Sequence, residues 1–194
     1  MQHSIDSINE DDAQLIEEKL RLTAVNHPLT LDLRARNPDI KTSRSVLAID
    51  PIDLPFSLTN TTLSGPDNIL APFVFADDIT GCLVAFYHLG SKLAGHAGIV
   101  HGGIPAVLLD ECMGRACFPR LPNKVAFTAK LELNYKAPIR VSSNIVIEAN
   151  TTDIEGRKAW VEAKVRDASD GKELIWAKAL FIEPSGQPSL RQLI

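Results

Sequence analysis

The sequence predicts an α+β domain in which one long helix lies against an antiparallel β-sheet. An apolar segment of helical length follows two glycines and precedes a proline-rich break at residues 119–122. Four later segments alternate apolar and polar residues with period two, which is typical of antiparallel strands covered on one face. Turn-forming sequences at residues 153–156 and 168–171 separate three of these segments, as expected for hairpins. One helix layer on one such sheet is an α+β arrangement.

The predicted central helix runs from residue 104 to about residue 118. Pro105 lies just inside its start, where the missing N–H of proline removes no helical hydrogen bond. The first turn therefore leaves free N–H groups beyond Gly102 and Gly103, and this end carries a partial positive charge that suits an anion. Both glycines also let another molecule approach the backbone closely.

Asp110 is the chemically distinctive residue of this helix. A carboxylate between Leu109 and Cys112 is costly to bury unless it is paired or used. With helical spacing it shares a face with small residues, which favours close approach of a second helix; the face comprises Gly103, Ala106, Asp110, Gly114 and Cys117. The alternative is an acid that only faces water, but the glycine opening and the small face favour a functional role.

Helix length predicts that a reaction centre built from these groups is shared between two chains. Gly102 and Asp110 are separated by eight residues, or about 12 Å along a helix axis. A donor for an oxyanion and a base or nucleophile must both lie within roughly 3 Å of one reacting centre. Two antiparallel copies meet this condition when the glycine end of one helix meets Asp110 of the other.

The N-terminal third is predicted as a helix followed by an extended arm. Asn9 can cap a helix with acids in its first turn, and an apolar stripe indicates that this helix packs on something: Ala13, Ile16, Leu20 and Ala24. Five prolines then interrupt residues 25–68. We therefore divide the chain into an arm (1–68), a main domain (69–184) and a C-terminal tail (185–194).

Within the main domain, paired strands are predicted at residues 71–76 and 81–89, followed by a loop at residues 90–98 that contains His96. In the segment after the helix, strict alternation places six residues on one face: Val125, Phe127, Ala129, Leu131, Leu133 and Tyr135. Threonine is an ordinary strand former, so alternation alone gives Thr128 no special role.

Composition and charge argue against several classes of protein. The net charge of −4 and the absence of a basic cluster give no reason to expect a nucleic-acid partner. Three cysteines without metal-ligand spacing favour a reducing compartment and no metal. No apolar run reaches about 18 residues, so no membrane span is expected. The acidic N-terminus without an early arginine argues against a presequence, and a cytoplasmic location is expected.

Two sequence blocks resemble the hotdog-fold thioesterase superfamily. The first is His101-Gly102-Gly103 with Asp110 nine positions after the histidine, and the second spans residues 128–139, beginning Thr128-Ala129-Lys130. The resemblance covers about residues 69–184. It points to the branch with phenylacetyl-CoA-type and mammalian mitochondrial acyl-CoA thioesterases, and segments near residues 57–66 look like uncharacterised fungal members.

This resemblance implies a hotdog fold, in which the sheet wraps one long central helix. It also implies hydrolysis of acyl-CoA thioesters without a cofactor or metal, by a homodimer or a dimer of dimers. The residues leave two other functions open. One is the release of a polyketide or fatty acyl chain from a carrier protein, and the other is non-catalytic binding of an acyl group or metabolite.

The resemblance also suggests roles for single residues. The Gly102 amide would polarise the thioester carbonyl, whereas helix geometry alone allows Gly102 or Gly103. Asp110 would either deprotonate water or attack directly. Thr128 matches a position that orients water. His101 would bond backbone groups and fix the glycine turn, or act as a general acid or base.

One position departs from the pattern of a related subfamily. Six residues before His101, where that subfamily carries an asparagine that helps to bind the carbonyl, this chain has Gly95. Its neighbour His96 would take over this role, or it is a solvated loop residue. The predicted substrate-binding residues are therefore Gly103, His96 and Gly95.

Overall fold

The computed structural model describes residues 8–185. Its helices are α1 (Glu10–Asn26), α2 (Pro28–Arg36) and α3 (Gly103–Cys117). Its strands are β1 (Lys41–Ser43), β2 (Phe73–Asp77), β3 (Cys82–Leu89), β4 (Ala94–His96), β5 (Ile99–Val100), β6 (Phe127–Tyr135), β7 (Ser143–Glu155), β8 (Lys158–Asp167) and β9 (Glu173–Ile182). Nearly all of the predicted C-terminal tail, residues 186–194, lies outside the described residues.

Seven strands form one antiparallel sheet in the order β1-β2-β3-β7-β8-β9-β6. Helix α3 lies on one face of this sheet, where Leu108, Leu109 and Met113 are fully buried. The predicted α+β arrangement, with one long helix against an antiparallel sheet, is confirmed. The helix begins one residue earlier than predicted and continues after Cys117 as a 3₁₀ turn, Phe118–Arg120.

The small face of α3 is exposed only in its first half. Gly103 is exposed and Ala106 and Asp110 are half-buried, but Gly114 and Cys117 are buried. A Cβ atom at Gly114 would lie 3.3 Å from the Phe181 ring, so this glycine allows β9 to pack closely. The prediction that the whole face is free to receive a second helix is therefore wrong at its C-terminal end.

The N-terminal helices cover the outer face of the sheet. Leu20 and Ala24 of α1 and Leu33 of α2 pack with residues of β2, β3 and β7 in a second hydrophobic cluster. All eight residues of β3 are consequently buried. The expectation of a sheet covered on one side, which concerned the four strands after α3, is wrong at β7, where Val146 is buried in this second cluster. The N-cap at Asn9 is confirmed, because its side chain accepts a hydrogen bond from the Asp12 N–H.

The arm is also less extended than predicted. Pro28 was expected to interrupt the chain, but it occupies the first turn of α2, where proline is well tolerated. His27 caps this helix by accepting a hydrogen bond from the Leu29 N–H at 3.2 Å. Further along, β1 joins the main sheet by pairing with β2, and a π-helical turn spans Leu58–Thr62.

A β-bulge in β6 changes which residues face the helix. Thr128 pairs with Phe181 and Lys130 pairs with Leu180, so Ala129 is the extra residue. An extra residue shifts the alternation by one. Thr128 therefore faces α3, and Phe127 is 47% exposed. The prediction that Phe127 shares a face with Leu131 and Leu133 is wrong for this reason.

Candidate functional site

The glycine end of α3 is anchored by His101. The His101 N–H donates to the Leu93 carbonyl at 2.8 Å, and its carbonyl accepts from the Ile104 N–H at 2.9 Å. Its Nδ1 accepts a hydrogen bond from the Gly103 N–H at 3.0 Å, so a neutral ring carries its proton on Nε2. The imidazole thus satisfies one of the donors that a helix start leaves free.

Gly102 and Gly103 consequently differ as donors. The Gly103 N–H is used by His101, whereas the Gly102 N–H has no partner among residues 8–185. Gly102 adopts φ −59° and ψ −20° at the N-cap, and its side of the turn is open: the nearest atoms to an added Cβ are 3.9 Å away in Tyr135. Of the two glycines, Gly102 is the one with a free amide.

Tyr135 is a site residue that the sequence did not single out. Its hydroxyl donates to the Gly102 carbonyl at 2.6 Å. The sequence placed it on the apolar face of a strand, and its phenol group was the available signal, because a tyrosine hydroxyl near a packed surface usually finds a partner. Which partner it finds depends on the register of β6 against α3.

A groove of about 400 Å³ opens beside this glycine end. Gly102, Tyr135 and His96 supply polar groups, and the remaining lining is mainly apolar: Ile99, Val100, Pro105, Lys136, Ala137, Pro138, Ile139 and Ile175. A mostly apolar cleft with a few convergent polar groups is typical of a small-molecule site. His96, predicted to lie in a loop, ends the short strand β4 and is exposed.

The other two predicted substrate-binding residues, Gly95 and Gly103, do not line this groove. A Cβ atom at Gly95 would lie 2.9 Å from the His101 Cα, so the absence of a side chain lets β4 approach the residue that anchors the turn. An asparagine at this position would require the backbone to move. Gly103, similarly, has its N–H bonded to His101.

Asp110 lies at the opposite end of β6 from Tyr135. Its Oδ1 accepts a hydrogen bond from the Thr128 hydroxyl at 2.6 Å, and the carboxylate is half-buried. The bulge at Ala129 makes this contact possible by turning Thr128 toward the helix. The structure thus joins Asp110 to Thr128 and Gly102 to Tyr135, but it does not bring Asp110 to Gly102 within one chain.

The neighbouring acid Glu111 is held by the N-terminal arm. Both of its carboxylate oxygens lie within hydrogen-bond distance of the Thr59 hydroxyl, at 2.9 and 3.1 Å. Burial raises the pKa of Glu111, with the Thr59 hydrogen bond opposing this effect and the charge of Asp110 adding to it. Successive helical residues point about 100° apart, so Glu111 meets the arm while Asp110 meets β6.

The three cysteines are not nucleophilic at neutral pH. Cys82, Cys112 and Cys117 are buried, and burial raises the pKa of Cys112 and of Cys117 to about 12. They are therefore protonated thiols rather than nucleophilic thiolates. Within residues 8–185 no cluster of three metal-ligating side chains occurs, and none of the helices described there is long and apolar enough to cross a membrane.

Comparisons with known proteins agree with this fold. The family model described as "Thioesterase superfamily" matches residues 97–174, which contain the glycine end, α3 and β6. A solved thioesterase superfamily protein is 20% identical with a TM-score of 0.54, over 88% of this chain and 90% of its own. A hypothetical thioesterase from Streptococcus pneumoniae, solved with coenzyme A, is 17% identical with a TM-score of 0.51, over 57% of this chain and 83% of its own.

The chain belongs to the hotdog-fold thioesterase superfamily. An uncharacterised protein from Schizosaccharomyces pombe is 34% identical, over 59% of this chain and 67% of its own length. An uncharacterised mitochondrial protein from Candida albicans is 35% identical over 63% of this chain, which spans only 57% of that relative. Acyl-coenzyme A thioesterase THEM4 from Mus musculus is 32% identical, over 57% of this chain and 46% of its own length.

These relatives overturn the expected cytoplasmic location. The Candida albicans relative and one from Saccharomyces cerevisiae are both named as mitochondrial proteins. The prediction rested on acids near residue 10 and the absence of an early arginine. That reasoning was wrong, because the composition of the first residues of this sequence does not determine the compartment of the protein.

Proposed function

We propose that the chain is an acyl-CoA thioesterase whose reaction centre is shared between two subunits. The observation that carries this proposal is the division of the candidate groups along α3. The free Gly102 amide lies beside the groove at one end, and Asp110, held by Thr128, lies eight residues further on. Eight helical residues span about 12 Å, so one chain does not place both groups around one thioester.

In the proposed reaction the thioester carbonyl binds at the Gly102 N–H. This amide stabilises the negative charge that develops on the carbonyl oxygen, and one such preorganised donor contributes about 3 kcal/mol or more. Asp110 of the partner chain either removes a proton from the attacking water or attacks the carbonyl carbon itself. In the first route Asp110 passes the proton taken from water to the sulfur as the carbon–sulfur bond breaks, which gives the free acid and coenzyme A as a thiol. In the second route breaking this bond leaves a mixed anhydride of the acyl group with Asp110; water hydrolyses the anhydride to the free acid and Asp110, and a proton released in this hydrolysis passes to the thiolate.

Thr128 and His101 have supporting roles in this scheme. The Thr128 hydroxyl donates to Oδ1 of Asp110 at 2.6 Å, which fixes the rotamer of the carboxylate and leaves Oδ2 for water or the carbonyl carbon. His101 is committed through Nδ1 to the Gly103 N–H. The His101 side chain is exposed, and in the neutral ring its Nε2–H is a second donor of the turn besides the Gly102 N–H.

The choice of coenzyme A esters is supported by what related proteins are named for and were solved with. THEM4 of Mus musculus is named an acyl-coenzyme A thioesterase, and the Streptococcus pneumoniae structure contains coenzyme A. Since this chain covers 46% of the THEM4 length, its activity and substrate are proposals. The groove offers apolar surface for the acyl or pantetheine part of such a substrate.

The exposed edge of the sheet supports a homodimer, alone or as a dimer of dimers. Strand β6 is the last strand of the sheet, so its outer edge lacks a partner strand among the described residues. Phe127 and Tyr135 of this strand are 47% and 53% exposed. An unpaired edge with exposed apolar side chains is a template for pairing with a second chain.

We also propose that the protein is located in mitochondria, because two fungal relatives are named as mitochondrial proteins.

The experiment that tests this function is a panel of acyl- and aryl-CoA esters with detection of the released thiol. We expect the wild type to cleave at least one class, and Asp110→Asn to lower kcat by a factor of about 100 or more. Asp32→Asn is the matched control, since it makes the same change at an exposed acid of α2 that pairs with Arg36. It should retain wild-type turnover.

Three results would contradict the proposal. Wild-type turnover by Asp110→Asn would remove Asp110 from the reaction. Failure of the wild type on the whole CoA panel, together with cleavage of carrier-protein esters, would identify a carrier-protein thioesterase instead; binding of acyl-CoA without cleavage would identify a binding protein.

A further inference from the structure

The peptide group between Gly102 and Gly103 is bonded at both of its polar atoms. Its carbonyl oxygen accepts a hydrogen bond from the Tyr135 hydroxyl at 2.6 Å. Its N–H donates to His101 Nδ1 at 3.0 Å. The three groups form one chain of hydrogen bonds, from the phenol through the peptide to the imidazole, and such chains strengthen each bond by polarisation.

We infer that Tyr135 is a positioning residue that, together with His101, clamps this peptide and thereby fixes the Gly102 amide beside the groove. This inference rests on the proposed function. Gly102 needs such a clamp because it has no side chain of its own and lies at a helix end, where backbone is less constrained than in the helix interior. A Cβ atom added to Gly102 would also have Tyr135 as its nearest neighbour, at 3.9 Å.

The location of Tyr135 suits this role. It is the last residue of β6 and pairs with Ile175 of β9, so the sheet holds its backbone while its ring reaches the helix start. Both Tyr135 and Gly102 line the groove. The hydroxyl donates to the helix and is therefore not a proton donor to substrate in this arrangement; it acts through Gly102.

Tyr135→Phe tests the inference, because it removes only the hydroxyl. We expect kcat on the best acyl-CoA to fall about tenfold, since a misplaced oxyanion donor costs less than a deleted one. KM should change by less than about twofold, and the melting temperature should stay close to wild type because the ring is half exposed. Thr152→Val is the control and should keep wild-type kcat, because it removes a hydroxyl that also donates to a backbone carbonyl but lies at an exposed position of β7, away from the groove and the β6 edge.

A double variant shows whether His101 and Tyr135 act together on one peptide group or contribute independently to kcat. His101→Ala and Tyr135→Phe act on the same peptide, so the double variant should lose little more kcat than the worse single variant. Multiplication of the two losses, or an unchanged kcat in Tyr135→Phe, would overturn the inference.

A measurement without substrate distinguishes this inference from the proposed function. In wild-type protein the Gly103 amide proton should exchange slowly with solvent, and in Tyr135→Phe its exchange should accelerate several-fold, as followed by NMR. Unchanged exchange would overturn the clamp even in an active enzyme. A wild type that cleaves no acyl thioester would instead refute the proposed function, and with it the catalytic role of the clamp.

Discussion

At the scale of single residues, the amides of the adjacent Gly102 and Gly103 differ in their hydrogen bonding. His101 accepts the hydrogen bond of Gly103, and this leaves Gly102 as the free donor beside the groove. The sequence placed both glycines correctly at the helix start but did not distinguish them, because the difference depends on the rotamer of His101. Gly95 packs closely against His101, since a Cβ atom there would lie 3.0 Å from Cδ2 of the imidazole.

Gly102→Pro should abolish the oxyanion donor with little strain. Gly102 has φ −59°, close to the value that proline imposes, and an added Cβ would meet nothing nearer than 3.9 Å. We expect kcat to fall by about 100-fold or more. Gly102→Ala keeps the N–H at the same φ and should retain most of the activity. Equal losses in both variants would show that the amide is not the donor.

At the scale of elements, the N-terminal helices form a second core on the outer face of the sheet. The sequence predicted that α1 packs through Leu20 and Ala24, and both are fully buried. It could not predict the surface that receives them, because β3 has apolar residues on both faces and a continuous apolar run does not show which layer covers each face.

Leu20→Ala should destabilise the protein by about 3 kcal/mol, through lost burial and a residual cavity. Leu22→Ala on the same helix is the control: Leu22 is 47% exposed, and its loss should cost less than about 1 kcal/mol. Urea unfolding measures both. A Leu20→Ala protein as stable as the control would mean that α1 does not hold the sheet in solution.

At the scale of the whole molecule, the separation of Gly102 from Asp110 requires two chains if both act on one thioester. Each chain of a twofold dimer then contributes a glycine end to one site and an acid to the other. The exposed edge at β6 is consistent with such pairing, since its neighbour β9 covers only one of its sides. In a shared site, a variant that lacks one of these two groups can therefore be complemented by a variant that lacks the other.

Mixing two inactive variants should restore activity. Gly102→Pro and Asp110→Asn, unfolded together in equal amounts and refolded, should form about half mixed dimers, each with one intact site, giving roughly a quarter of wild-type turnover. Each variant refolded alone is the control. If both sites lay within single chains, no mixed dimer would contain an intact site, and the mixture would stay inactive.

The sequence by itself determined the features that depend on local periodicity. Helical spacing predicted α3 and the distance between Gly102 and Asp110, and period-two alternation predicted β7, β8 and β9. The bulge at Ala129, the hydrogen bond of Thr128 to Asp110 and that of Tyr135 to Gly102 were decided only by the tertiary structure. The physical reason is that these contacts depend on the register between elements far apart in the chain, and one extra residue in a strand reverses which side chains face the helix.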